Sequence, residues 1–303
     1  MSASDATSTE RAGVLPGAEA TTKSRRRGGL SLGRRAEVIV GFALILIVVV
    51  YAIVVPLISP GAATAINPSN TLASPGSGGL LGTDQLGRSL AARVAVGYSI
   101  SLTISVGAVL LATIVGGFLG LIAATSTRVV DGLIMRVLDV VMAFPALLLA
   151  IVVVAVLGPG TLVLLLAIGI VYIPIMARVM RAAAIQTAKL DYIESAAARG
   201  ARRSRIIFRH IAPNSVGPLI VQASILVGLG IMLEAALSFV GLGVQPPTPS
   251  LGLMLSTGRD YLSTSPWIVA DPAVAIFIVV LGFTLLGDGL QVWLDPQKRT
   301  MAR

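Results

Sequence analysis

About six stretches of this chain are apolar for long enough to cross a lipid bilayer, and no other feature limits its fold so strongly. A hydrocarbon core of roughly 30 Å takes about 20 residues of helix to span. Lipid offers no water to backbone N–H and C=O groups, so a spanning segment must be a helix or part of a closed barrel. Barrel strands would alternate apolar and polar residues, and no such segments occur. The expected fold class is therefore all-α, a polytopic membrane protein with about six transmembrane helices. Composition agrees, because only 12% of the 303 residues are charged, where soluble domains carry about 25%.

The apolar runs cover 38–55, 99–124, 132–157, 161–181, 216–240 and 272–293. Residues 1–22 are small, polar and low in complexity, so disorder is expected there. Lys23, Arg25, Arg26, Arg27, Arg34 and Arg35 then precede the first run. A secretory leader is the competing reading, and Ala63-Thr64-Ala65 resembles a cleavage site. The run exceeds the usual apolar core of such a leader, which is about 7–15 residues. The expected organisation is a disordered basic tail over 1–35 and an uncleaved first helix over 36–58. An extracytoplasmic segment over 59–97, a core over 98–296 and a tail over 297–303 follow. Pro145 and Pro174 should kink or interrupt their spans. Asp271-Pro272 reads as an N-cap followed by proline in the first turn.

Orientation follows from the basic residues, which favour the cytoplasmic side. With six spans and the N-terminus inside, only Arg88, Arg93 and Arg259 of the 23 Lys and Arg lie outside, leaving 20 inside. The reverse orientation would invert that ratio. Both termini are therefore expected in the cytoplasm. Outside, 59–97 is rich in Gly, Ser and Pro, with a short helix expected after Thr83-Asp84. The second outside segment, 241–271, contains Gln245-Pro246-Pro247-Thr248-Pro249, which should run as extended polyproline-like backbone. Trp267 suits a membrane–water interface.

Several functions are excluded. There is no cysteine, so no disulfide or thiolate site. A single histidine, His210, rules out a multi-histidine metal centre. The net charge of +9 collects on one side of the predicted spans and does not point to nucleic acid. No G-x-x-x-x-G-K-[S/T] phosphate loop is present, so the chain is not expected to hydrolyse ATP. No nucleophile elbow or HExxH helix occurs either.

The inside loop 182–215 is long, basic and patterned. Asp191-Tyr192-Ile193-Glu194 has capping-box spacing, with Asp191 at the N-cap and Glu194 three residues on. Ala196, Ala197 and Ala198 favour helix, and Gly200 is placed for a left-handed C-cap. A second helix should run over 201–211 and stop at Pro213. Its Ile206, Ile207 and Ile211 form an apolar stripe, with Arg202, Arg203, Arg205 and Arg209 elsewhere. Adhesion to anionic lipid would explain the arginines alone. It does not call for a capped, alanine-lined hairpin, whereas a ledge for docking another protein does.

The run Asp191-Tyr192-Ile193-Glu194-Ser195-Ala196-Ala197-Ala198-Arg199-Gly200, followed by His210-Ile211-Ala212-Pro213-Asn214, resembles the EAA loop of ABC-importer permeases. Ser195 replaces the usual first Ala, and Ala212 stands where Leu is common. Other stretches resemble the second (C-type) subunit of the dipeptide, oligopeptide and nickel branch. They are Gly82-Thr83-Asp84-Gln85-Leu86-Gly87-Arg88, Met135-Arg136-Val137-Leu138-Asp139 with Ala143-Phe144-Pro145, and Leu237-Ser238-Phe239-Val240-Gly241-Leu242-Gly243-Val244-Gln245-Pro246-Pro247. Gly287-Asp288-Gly289 and Leu294-Asp295-Pro296 close the pattern, which covers about residues 36–296.

The resemblance implies a type I importer permease that encloses half of a translocation pathway. Its implied partners are a second related permease, two cytoplasmic ATPase subunits carrying ATP and Mg, and an extracytoplasmic substrate-binding protein. This chain itself would bind no cofactor. The implied setting is a bacterial cytoplasmic membrane and the implied cargo a short peptide, with nickel, glutathione or another small solute as alternatives. The loop 190–213 would be the ATPase-coupling element, carried by Asp191, Tyr192, Glu194, Ala196, Ala197, Gly200, His210 and Pro213.

Three acids fall within the spans, and intramembrane charges are functional candidates by default. Asp139 follows Arg136 by three residues, which suits a local ion pair. Asp288 lies near the inner end of the last span. Glu234 has no basic residue near it in sequence, and reads as lining the pathway, as pairing with another subunit or as making a structural hydrogen bond. Gly116 and Gly120 have the GxxxG spacing of close helix packing, within the chain or with a partner. His210, at the end of the second loop helix, would suit the negative end of the helix dipole. An ion-coupled secondary transporter is the rival reading, but it calls for more acids and for internal repeats, and no convincing repeat appears.

Overall fold

The computed structural model describes residues 30–294. Residues 1–29 of the expected tail, the Asp295-Pro296 part of the closing motif and the tail over 297–303 lie outside the described residues. Among the described residues all regular elements are helical, apart from one bridge between Thr83 and Ser89. The helices are α1 (Leu30–Ile58), α2 (Leu90–Thr125), α3 (Arg128–Met142), α4 (Ala146–Leu157) and α5 (Thr161–Ala188). The short pieces α6 (Asp191–Ala198), α7 (Arg203–Ile206) and α8 (Ala212–Asn214) follow, and then α9 (Val216–Phe239), α10 (Leu251–Gly258) and α11 (Trp267–Leu294).

Five of these helices are long and apolar enough to span: α1, α2, α5, α9 and α11. The remaining apolar stretch, expected as one span over 132–157, is instead the pair α3 and α4, bent by 87°. The cause is local. Ala143 N–H closes α3 onto Asp139 O at 3.0 Å. Pro145, at the N-cap of α4, has no N–H to continue the ladder. The residue before a proline is also pushed away from helical backbone. On α3, Leu138 faces inward and is buried, while Val129, Leu133 and Val140 on the opposite side are exposed.

The core is a trio of α2, α5 and α9, with α2 against α5 the most extensive pairing. Small residues make this possible. A Cβ on Gly116 would lie 2.5 Å from Ile173 O, and one on Gly120 would lie 2.2 Å from Ala177 O. The GxxxG pair thus serves packing within the chain, between α2 and α5. Ile104, Ala108, Ala112, Leu164, Ile168, Met176 and Ile231 fill the centre. Helices α1 and α11 pair on one side of the trio, and α4 leans on α5 from the other. The outward faces stay apolar: Phe42, Leu46, Ile47 and Ile53 of α1 are exposed, as a lipid-solvated helix requires.

Other expectations shift. No separate helix follows Thr83-Asp84; the chain turns tightly there and enters α2 at Leu90, with Ser89 as its N-cap. At about 1.5 Å per residue, α2 is about 54 Å long and reaches past the hydrocarbon core. The last span starts at Trp267, so Asp271 and Pro272 lie inside the helix and not at its cap. The proline-rich run is not extended either: it turns at Pro246–Pro247. The Gln245 side-chain amide holds this turn by donating to Gly241 O and Gly243 O.

On the face where α1 ends and α2 begins, the segment after α1 forms a compact knuckle. Asp84, 2% exposed, is its hub. It accepts from the N–H groups of Leu86 and Arg88, both at 2.9 Å, and from Arg88 Nε at 2.7 Å. Buried Arg93 approaches the same carboxylate at 3.4 Å and donates to Ala63 O.

Candidate functional site

The opposite face carries the loop after α5. Its first helix, α6, is shorter than two and a half turns, so its ends decide whether it forms. Leu190, not Asp191, occupies the N-cap, and no side chain caps the start. Asp191 and Glu194 instead lie in the first turn, where negative charge meets the positive end of the helix dipole. The other end is fixed by backbone. Gly200 has φ +79°, Gly200 N–H donates to Ala197 O at 2.9 Å, and Ala201 N–H donates to Ala196 O at 3.1 Å. That pair of bonds is the Schellman motif, which favours glycine because a Cβ is strained at positive φ.

Two side chains anchor α6. Ile193 and Ala196, one turn apart, are buried. Asp191, Tyr192, Glu194 and Ala197 are exposed. Tyr192 meets His210 edge-on, with ring centroids 6.3 Å apart. These residues thus share one ledge, with Ala196 as its footing and Ala197 on its surface.

The second loop helix departs from expectation. It does not stop at Pro213. Helix α7 widens into a π-turn over Ile207–Ile211, and α8 carries Pro213 directly toward α9. The wider turn relieves the clash that a proline ring makes with the carbonyl four residues back. His210 accordingly lies within this continuous stretch and not at a helix end; its carbonyl accepts from Asn214 Nδ2 at 2.6 Å. Ser215, fully buried, donates to Ile211 O at 2.8 Å, and its hydroxyl also lies within hydrogen-bond distance of the Thr187 hydroxyl at 3.2 Å, tying the return to α5.

Contacts between distant segments escaped sequence reasoning. Arg203 Nη2 donates to Thr125 O, a carbonyl left free at the C-terminal end of α2. Asp139 does not pair with Arg136; it takes Arg178 of α5 at 2.5 Å. Asp131 takes Arg181 through both oxygens, each at 2.6 Å. The bend before α4 turns α3's acidic side toward α5, so the across-helix partners win over the local one. Only the matching count of opposite charges on α3 and α5 hinted at this. Asp288 is exposed.

Glu234 lies deep in α9 and is fully buried. Its carboxylate accepts from Ser101 on α2 at 2.6 Å and from Ser238 at 2.7 Å. It stands far from the loop of α6, toward the knuckle face.

Residues 116–300 match the family described as binding-protein-dependent transport system inner membrane component. The chain belongs to that family. As a member, it is a multi-pass membrane permease. Among named relatives, the dipeptide transport system permease protein DppC of Alkalihalophilus pseudofirmus is 43% identical over 86% of each chain. The di/tripeptide transport system permease protein DppC of Pseudomonas aeruginosa is 44% identical over 74% of each. The glutathione transport system permease protein GsiD of Pectobacterium atrosepticum is 43% identical over 75% of each. Among solved structures, an amino acid ABC transporter described with histidines superposes with a TM-score of 0.53 at 17% identity, covering 66% of this permease and 92% of that chain. The last likeness concerns the fold alone.

Proposed function

We propose that this permease forms half of the pathway of an ATP-driven importer of short peptides, and that α6 is its docking element for an ATPase subunit. The observation that carries the docking reading is the ledge itself: a short helix with dedicated backbone capping, two buried feet and an exposed surface of Tyr192, Glu194 and Ala197. A membrane-adhesive segment has no need of that rigidity. The 20-to-3 distribution of basic residues supports placing this face in the cytoplasm of a bacterial cell. The assembly would contain a second related permease, two ATPases holding ATP and Mg, and a binding protein delivering cargo to the knuckle face. The dipeptide and di/tripeptide permeases among its relatives support peptide cargo; the GsiD relative supports glutathione, itself a small peptide, as a second reading.

ATP binding drives transport only if the two access states differ in their contacts with the ATPase. The α6 ledge is where this chain would make them. The test is reconstitution of the full complex with Glu194→Arg or Gly200→Arg. Each variant should insert and assemble, yet lose ATP-dependent uptake from a di- and tripeptide panel. Normal uptake with normal ATPase stimulation would refute the docking role.

A further inference from the structure

Glu234 is unusual for an acid within a span. Such groups commonly pair with a cation, yet among the described residues no basic side chain lies within ion-pair distance of it. Its hydrogen-bond donors are hydroxyls from two helices. Ser101 belongs to α2 and Ser238 to α9, while buried Ser250, the N-cap of α10, lies beside the same carboxylate. Ser250 Oγ accepts from Leu253 N–H at 3.2 Å, so the hydroxyl that starts α10 sits at the Glu234 junction.

The surrounding backbone is fitted to that junction. A Cβ on Gly243 would fall 1.9 Å from Ser238 Oγ, and one on Gly252 would fall 2.2 Å from Ala235 O. Leu251 is fully buried and lies so close to α2 that a Cβ on Gly97 would be 2.9 Å from its Cδ2. Helix α10 is therefore seated on α9 and α2 at the level of the carboxylate. From Ser101, α2 runs without a proline to Thr125, about 36 Å at 1.5 Å per residue. There its last carbonyl accepts from Arg203 of the loop.

We propose that Glu234 is a positioning residue for transport: it clamps α2 to α9 at the junction on which α10 is seated. Movement of the α2 end held by Arg203 is thereby delivered as movement of α10 on the opposite face. This rests on reading 190–213 as the ATPase-docking loop. The clamp needs hydrogen bonds and not charge, because all its partners are hydroxyls that either donate or accept.

The absence of cysteine in this chain gives a clean reporter. In the assembled complex in nanodiscs, exposed Thr257 of α10 is changed to Cys. Its labelling by a membrane-impermeant maleimide is compared without nucleotide and in a vanadate-trapped state, reading only this chain's band. With native Glu234 the two rates should differ. Glu234→Ala should shrink their ratio at least about fivefold, the low end of ordinary coupling between sites. Glu234→Gln should preserve it, since the amide keeps an acceptor oxygen and its NH2 can donate to a serine. If Glu234→Ala fails to assemble, Ser101→Ala decides, because it removes one hydroxyl from α2 and should also shrink the ratio. A native ratio in Glu234→Ala, or in Ser101→Ala where that variant decides, overturns the clamp, as does a Gln variant as impaired as Ala. A reporter indifferent to nucleotide with native Glu234 overturns the docking-loop reading as well.

Discussion

Replacing Gly120 with alanine adds one methyl group at the tightest crossing of α2 and α5. The new Cβ would fall 2.2 Å from Ala177 O, where real contacts of this kind stay above 3.0 Å. The obstacle is backbone, so no side chain can swing aside, and the helices must part by about 1 Å. A gap of 0.5–1 Å forfeits a quarter to a half of each atom pair's ~0.1–0.2 kcal/mol. A patch of roughly 50 such pairs, the number one buried leucine makes, then loses about 2–3 kcal/mol. Alanine returns up to about 1 kcal/mol through helix propensity. Gly117→Ala gains the same propensity, but its Cβ would meet only Leu219 Cδ2, a side-chain tip, at 3.3 Å. The difference between the two variants should therefore be about 2–3 kcal/mol, with propensity cancelling. Equilibrium unfolding of the purified permease in mixed micelles, titrated with SDS, measures it. Stabilities within about 0.5 kcal/mol of each other would refute the close-packing account.

Other outcomes follow from the knuckle and the ion pairs. Gly87 has φ +73° and a Cβ there would lie 1.8 Å from Asn67 O, so Gly87→Ala should open the knuckle and expose 59–89 to limited proteolysis. Asp84→Ala leaves Arg93 buried without its carboxylate, at a cost of about 3–5 kcal/mol, and thermal unfolding should show a larger loss than for exposed Asp260→Ala. The partly exposed Asp131–Arg181 pair should couple by only about 1 kcal/mol in a double-mutant cycle. A coupling above about 3 kcal/mol would mean that this pair is desolvated in the native membrane.

Five of the six expected spans, and their order, were legible in the sequence, because apolar length alone determines what lipid will accept. The α6 ledge was largely legible too. Gly200 declares its left-handed turn locally, and the alanines declare helix. Local rules failed where the deciding partner lay far along the chain. Asp191 offered a cap by spacing, yet the chain enters α6 one residue earlier. Pro213 read as a stop, yet a π-turn before it absorbs the missing hydrogen bond. Arg136 was the nearest cation to Asp139, but the 87° bend presents that acid to Arg178.

Glu234 shows the same division. Its burial among apolar residues follows from the sequence, as does the oddity of an acid there. Its surroundings do not: Ser101 precedes it by 133 residues, and α10 comes to lie on this junction only because Gly243 and Gly252 let the chain fold back onto α9. Hydropathy and helix preference are properties of neighbours within a turn or two, so sequence alone determines them. Which hydroxyls meet a carboxylate depends on how the helices cross, and only the tertiary structure decides that.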